Sequence, residues 1–155
     1  NIPQNNAEEL KRAEGSALID TESGAERITL KNAVGFEERT LSSKALHTVI
    51  NARMDETLCV VRARLHKAGV LPHVGGGVVL TGGGAYLRKV TELAQRIFGA
   101  PCRIGVPVNV DGLEQAEQPA ALCTAAGLAL YGHMTYEDRG VLAPVKNIFR
   151  GLFRR

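Results

Sequence analysis

A short apolar run leads directly into three consecutive glycines, and this junction most constrains how the chain can fold. Residues 78–80, Val-Val-Leu, are typical of a strand buried on both faces. After the glycines at 82–84, apolar residues recur at helical spacing from about Tyr86 to Phe98. A strand, a tight turn and an amphipathic helix in this order predict a layered α/β unit.

Exposed backbone in such a turn can serve either of two purposes. Glycine lets a ligand or another part of the chain approach the backbone closely, and amides at the start of a helix attract anions. The turn is not a Walker A loop, because no Gly-Lys-Ser/Thr sequence follows it. It is not a dinucleotide-binding fingerprint either, because Leu87 stands where the third glycine is required. Ligand binding and close packing both remain open from this segment alone.

Periodicity and turn residues predict further elements on both sides of the glycine turn. Helices are expected over residues 5–14, 43–68 and 120–131. Gly15 and Gly69 end the first two helices, and Pro119 opens the third. Short strands are expected over residues 18–19, 27–30 and 102–106, with a loop over residues 107–117.

The longest predicted helix has an apolar stripe along one face. Its members recur three or four residues apart: Leu46, Val49, Ile50, Met54, Leu58, Val61 and Leu65. We interpret this stripe as core packing and not as a cofactor-binding surface.

The last eleven residues predict an amphipathic helix of a different kind. One face is apolar, with Val145, Ile148, Phe149, Leu152 and Phe153. The other face is basic and contains no acid, with Lys146, Arg150, Arg154 and Arg155. A short basic helix of this type binds anionic membrane surfaces, although it is too short to span a bilayer, which needs about 20 apolar residues. The alternative is that the helix packs against its own domain.

The charge of the chain excludes one class of partner. The 155 residues include 19 Lys and Arg against 16 Asp and Glu, a net charge of +3. Without the four basic residues of the tail the net charge is −1, so the body has no basic stripe for nucleic acid.

The cysteines and the first residue indicate the setting of the protein. Cys59, Cys102 and Cys123 are far apart and never occur as Cys-x-x-Cys, which favours reduced thiols in the cytoplasm over disulfides or a zinc site. The chain begins with Asn1 and shows no signal peptide. We interpret it as a fragment that lacks an N-terminal portion, with processing as the alternative.

The segment Val78-Val-Leu-Thr-Gly-Gly-Gly-Ala85 resembles the adenosine motif of the actin/Hsp70/sugar-kinase ATPase superfamily. Within that superfamily the chain resembles the FtsA family of bacterial cell-division proteins. Ala7-Glu-Glu-Leu-Lys11 is similar to the family's AExxK helix, and the tail is similar to its membrane-targeting helix. The stretches 104–113 and 124–132 are similar to the end of its subdomain 2A. The resemblance spans nearly the whole chain, with a looser match over residues 20–40.

This resemblance implies an α/β fold that forms the C-terminal part of a two-lobed actin-like ATPase. Residues 1–40 would be the end of subdomain 2B, and residues 41–136 the second part of subdomain 2A. Residues 137–144 would be a linker, followed by the amphipathic membrane-targeting helix over residues 145–155.

The resemblance also implies an ATP site. Glu8 and Lys11 would approach the ribose and adenine, and the glycine turn would contact the adenosine and the α-phosphate side through Gly82, Gly83, Gly84 and Ala85. The alternatives are a solvated ion pair for Glu8 and Lys11 and pure packing for the glycines. Mg²⁺ and the catalytic water would be held by segments outside this chain, so no catalytic or metal-binding residue is assigned.

The implied function is an adaptor on the cytoplasmic face of the inner membrane, at the division site. It would bind the C-terminal tail of FtsZ on the 2B side, with Lys11 and Arg12 as candidate contacts, and would self-associate into actin-like filaments. It would also recruit other division proteins. The alternatives are a sugar- or acetate-kinase-like enzyme and a pilus-assembly ATPase of the PilM type, neither of which needs the basic tail.

Overall fold

The computed structural model of the chain describes residues 3–19, 27–30, 39–113 and 115–137. It divides into two compact units. Among the described residues, the first combines residues up to 78 with residues 87–103, and the second combines residues 79–86 with residues 104–137. The subdomain boundaries expected from the sequence stay predictions. The linker predicted over residues 137–144 is wrong at Glu137, which is the last residue of a helix. The rest of the predicted linker and the predicted amphipathic helix lie outside the described residues.

Three helices form most of the first unit: α1 (Gln4–Glu14), α2 (Ser43–Lys67) and α3 (Val90–Phe98). The predicted bounds of α1 and α2 are confirmed within one residue, because glycine ends both helical patterns. Gly69 has a φ of 69°, the left-handed conformation that ends many helices. α2 packs against α3, and the buried apolar residues of this unit are Leu10, Ala17, Leu58, Val90, Leu93, Ala94 and Phe98.

The apolar stripe of α2 is only partly buried. Leu58 is 7% exposed, whereas Val49 is 64% and Val61 is 42% exposed. The interpretation of the stripe as core is therefore confirmed at Leu58 and is wrong for these two valines within the described part of the chain.

A β-hairpin precedes α2. β1 (Arg27–Leu30) pairs antiparallel with β2 (Arg39–Ser42), with Arg27 opposite Ser42. β1 was predicted, and β2 was missed because its residues blend into the start of the helix. The predicted strand at residues 18–19 is wrong. Instead Ser16 forms an isolated parallel bridge with Arg88, and its hydroxyl accepts from the amide of Leu18 at 3.3 Å.

The helix predicted from about Tyr86 begins later, at Val90. Lys89 has a φ of 59°, which breaks the helical path, and the carbonyl of Arg88 accepts a hydrogen bond from the amide of Ala17 at 2.8 Å. The backbone at Arg88 is therefore used for a long-range bridge, which helical periodicity does not show.

Strands β3 (Val78–Leu80) and β4 (Cys102–Ile104) pair with each other in a separate two-stranded sheet. β3 matches the prediction, and β4 ends two residues earlier than predicted. Val79 is 49% exposed, so the expectation of a strand buried on both faces is wrong within the described residues.

The helical part of the second unit begins with two single turns of 3-10 helix, Gly83–Tyr86 and Pro119–Leu122. The second of these continues into α4 (Cys123–Glu137), six residues beyond the predicted end. The predicted loop after β4 is confirmed, since its described residues form neither helix nor strand.

Gly15 is expected to tolerate no side chain. A Cβ there would lie 2.2 Å from the carbonyl oxygen of Lys11 and 3.0 Å from Cδ1 of Ile50. Gly15→Ala should therefore cost about 1–3 kcal/mol, as overpacking does, measured by urea unfolding. Gly83→Ala is the matched control, because its Cβ meets no described atom within 4 Å. Equal stability of the two variants would contradict the prediction.

Candidate nucleotide-binding site

The glycine turn follows β3 directly and depends on one residue with an unusual backbone conformation. Gly82 has a φ of 88°, which side-chain-bearing residues rarely adopt. The chain then completes one 3-10 turn, in which the amide of Ala85 donates to the carbonyl of Gly82 at 3.1 Å. The first hydrogen-bonded turn is therefore complete at Ala85, five residues after the end of β3.

One side of the turn is fixed to Ala120, which is fully buried. The carbonyl of Ala120 accepts from the amide of Gly82 at 2.9 Å and from the hydroxyl of Thr81 at 3.2 Å. The amide of Ala120 donates to the phenol oxygen of Tyr86 at 2.8 Å. Both polar backbone groups of this buried residue are thus satisfied by the turn, as burial requires.

The other side of the turn is open. A Cβ built on Gly82, Gly83 or Gly84 would meet no described atom within 4 Å. By contrast, a Cβ on Gly105 would lie 2.4 Å from Cγ1 of Val79, which is what a glycine required for packing looks like. Packing contacts within the described part of the chain therefore do not explain why glycine occupies positions 83 and 84. The open side leaves bare backbone for an external group.

Ala85 occupies a different position from the three glycines. Its side chain is only 3% exposed, so it anchors the turn. The sequence motif groups Ala85 with the glycines as a candidate contact. Because the side chain of Ala85 is buried, any contact of this residue with a ligand would be made by its backbone.

The predicted helix dipole does not act at this turn. Because α3 begins only at Val90, the glycines are followed by a single 3-10 turn and a bend. The expectation that a long helix starts at the glycines and attracts an anion is wrong, and close approach to bare backbone is the property that remains.

Glu8 and Lys11 lie on α1 in the first unit, whereas the glycine turn belongs to the second unit. Lys11 Nζ is 2.5 Å from one carboxylate oxygen of Glu8, and Arg12 Nε is 3.0 Å from the other. Hydrogen bonds from Lys11 and then Arg12 lower the pKa of Glu8 below its usual value. α1 therefore presents a carboxylate acceptor flanked by two cations.

Other site expectations can be compared with the described residues only in part. Those residues contain no cluster of three or more potential metal ligands. Within the same ranges, every helix is too short or too polar to cross a bilayer. The basic and apolar residues of the tail, from Val145 to Arg155, lie outside the described ranges.

Sequence reasoning missed Thr81, Tyr86 and Ala120 as the residues that hold the turn. Thr81 at the end of a strand is a weak signal, because a hydroxyl there can bond to neighbouring backbone. Tyr86 and Ala120 are 34 residues apart, and no local pattern shows that they meet.

The architecture defines the class of protein. The chain is similar to a crystal structure of MreB5 of Spiroplasma citri bound to ADP, with a TM-score of 0.64, at 18% sequence identity. The match covers 91% of this chain and 41% of that one. The fold is therefore an actin-like α/β fold.

The particular family follows from sequence comparison. The family model "Cell division protein FtsA" matches residues 1–127. The chain is 40% identical to FtsA of Agrobacterium fabrum over 129 residues, covering 81% of this chain and 29% of that protein. It is 34% identical to FtsA of Escherichia coli over 137 residues, covering 84% and 33%. The chain belongs to the FtsA family, and it spans about a third of the length of these relatives.

The hydroxyl of Tyr86 should stabilise the second unit. Tyr86→Phe would leave the amide of fully buried Ala120 without its acceptor, at a cost of about 1–3 kcal/mol. Urea unfolding measures this loss. Tyr131→Phe is the control, because Tyr131 is 67% exposed. A Tyr86→Phe protein as stable as the control would show that this hydrogen bond does not hold the turn.

Proposed function

We propose that this chain is part of an ATP-binding, polymerising adaptor that tethers FtsZ polymers to the cytoplasmic membrane and helps to assemble the division machinery. Membership in the FtsA family supports this proposal over a sugar- or acetate-kinase-like enzyme or a PilM-type ATPase. The observation on which it most depends is the glycine turn, which is anchored to Ala120 on one side and open on the other.

ATP is the ligand that we assign to the open side of the turn. The backbone at Gly82, Gly83 and Gly84 lets the adenosine and the α-phosphate approach more closely than side chains would permit. Glu8, as an ionised acceptor, would receive hydrogen bonds from ribose hydroxyls, and Lys11 would donate toward the nucleotide. MreB5, which shares the fold, is bound to ADP in its crystal structure. Mg²⁺ and any groups for hydrolysis would come from segments other than this chain. We propose an adaptor and not an enzyme because the chain belongs to a family of cell-division proteins.

FtsZ and further copies of the protein are the partners that we propose. An acidic FtsZ tail would be attracted by Lys11 and Arg12, whose side chains are 49% and 75% exposed although both pair with Glu8. Self-association into filaments would follow from the actin-like fold. It would also multiply the number of membrane-binding tails in one assembly.

The tail is proposed to lie on anionic lipid from the cytoplasmic side. Four basic residues contribute about 1 kcal/mol each near such a surface, and the five apolar side chains add a few kcal/mol by partial burial. Ordering the segment opposes binding, by up to about 1–2 kcal/mol for each residue whose backbone is fully fixed, so we expect one tail to bind weakly. A polymer with many tails binds far more tightly, because later contacts are intramolecular.

Gly83→Val should abolish ATP binding while the fold survives. Its side chain would occupy space that the nucleoside needs but that no described atom fills. Isothermal titration with Mg-ATP, on the protein as its own gene encodes it, measures the loss. Gly76→Val is the matched control, because Gly76 also faces open space within the described structure but lies outside the turn. Unchanged affinity in a well-folded Gly83→Val protein would refute the assignment of the turn.

The tail should release membranes when its apolar face is made acidic. Phe149→Glu plus Phe153→Glu should end co-sedimentation with phosphatidylglycerol vesicles, because the apolar face can no longer enter the interface. Asn147→Glu plus Gly151→Glu adds the same charge at the same spacing on the polar face, and should weaken binding less. High salt should weaken binding of the unmodified protein without abolishing it, since it screens only the charges. Continued sedimentation of the double Phe variant would mean that the tail packs on its own domain.

A further inference from the structure

The backbone that leaves α1 is the most buried polar segment of the first unit. Gly15 is buried, Ser16 is 3% exposed, and Ala17 is fully buried. This segment is neither helix nor regular strand, so its carbonyl groups need partners from elsewhere in the fold. The identity of those partners determines how firmly α1 is held at its C-terminal end.

Two side chains on one face of α2 supply some of these partners. His47 is 3% exposed, and its Nε2 lies 2.9 Å from the carbonyl oxygen of Glu14. The amide nitrogen of Asn51 donates to the carbonyl oxygen of Ala17 at 2.6 Å. His47 and Asn51 are four residues apart, so both point from the same side of a rigid 25-residue helix.

Arg88 supplies further partners from the bend before α3. Its guanidinium donates to the carbonyl oxygens of Glu14 at 2.7 Å and of Gly15 at 3.2 Å. The backbone of Arg88 also accepts from the amide of Ala17 at 2.8 Å. A planar guanidinium bonded to two successive carbonyls fixes direction as well as distance. A cation at the C-terminal end of α1 is also favoured by the helix dipole.

We propose that His47, Asn51 and Arg88, here called the α1 clamp, are positioning residues that set the direction of α1 and thereby the affinity for nucleotide. This inference rests on the proposed ATP-binding function, since it acts through Glu8 and Lys11. The clamp does not touch the nucleotide. It holds the end of the helix that presents these two side chains.

Helix geometry shows why the end of α1 matters. Glu8 lies six residues before Glu14, which is about 9 Å along the helix axis. A tilt of about 10° at the clamped end would move Glu8 by about 1.5 Å on this lever. Such a shift exceeds the tolerance of a hydrogen bond to a ribose hydroxyl. Gly15 adds to the constraint, since a Cβ there would meet the carbonyl oxygen of Lys11.

A double-mutant cycle separates positioning from general stability. Arg88→Lys keeps the charge but cannot bond to both carbonyls in the same geometry. In the protein as its own gene encodes it, we expect Arg88→Lys to weaken Mg-ATP binding 5- to 20-fold by isothermal titration. In a Glu8→Gln, Lys11→Met background the same substitution should change affinity less than twofold, because the groups that it positions are gone. Arg96→Lys, an exposed arginine on α3, is the matched control in both backgrounds.

Each outcome of the cycle decides something. Equal losses in the two backgrounds would overturn the proposal, since the clamp would then act elsewhere. Unchanged affinity in a folded Arg88→Lys protein would also overturn it. If Arg88→Lys does not fold, Asn51→Ala takes its place in the same cycle. If Glu8→Gln, Lys11→Met leaves affinity intact, the roles of Glu8 and Lys11 and the clamp fall together, whereas the glycine turn is judged separately by Gly83→Val.

Discussion

The burial of the backbone at Gly15–Ala17, directly after α1, is the constraint on which the first unit depends. Gly15, Ser16 and Ala17 are buried. α2 and the bend at Arg88 provide hydrogen bonds to the carbonyls of Ala17 and Gly15. These hydrogen bonds join segments more than 30 residues apart in sequence. They also explain why α3 cannot begin at Tyr86, because the backbone at Arg88 is already engaged with Ala17.

In the second unit, the glycine turn is fixed to Ala120 by hydrogen bonds but is also accessible. Three described hydrogen bonds fix the turn to Ala120. A Cβ on Gly82, Gly83 or Gly84 would meet no described atom within 4 Å. A turn packed on both sides could not admit a ligand, and a turn packed on neither side would have to be ordered when the ligand binds. The observed arrangement avoids both costs, and it is therefore compatible with the proposed binding of a ligand at the open glycines.

Local signals in the sequence predicted what is local in the structure. Gly15 and Gly69 marked the ends of α1 and α2, and the apolar run before the triple glycine marked β3. The glycine turn was likewise found as a candidate site. The anchors of that turn were not, because Ala120 and Tyr86 meet only through tertiary contact. The late start of α3 was missed for the same reason, since Lys89 adopts a left-handed conformation that helical periodicity cannot reveal.

Several apolar side chains of α4 are exposed, and the composition of the helix is typical of one that other parts of a protein cover. From Cys123 to Tyr136 the helix has no Asp, Glu, Lys or Arg, and a helix with so few polar side chains normally lies inside a larger protein. Leu128, Tyr131 and Met134 are nevertheless 66%, 67% and 71% exposed among the described residues. In the FtsA relatives, about two thirds of the chain lies outside the matched region. The longer family members have additional chain that could cover a helix of this composition. We therefore expect the apolar side chains of α4 to be buried by other parts of the actin-like fold and not exposed to water.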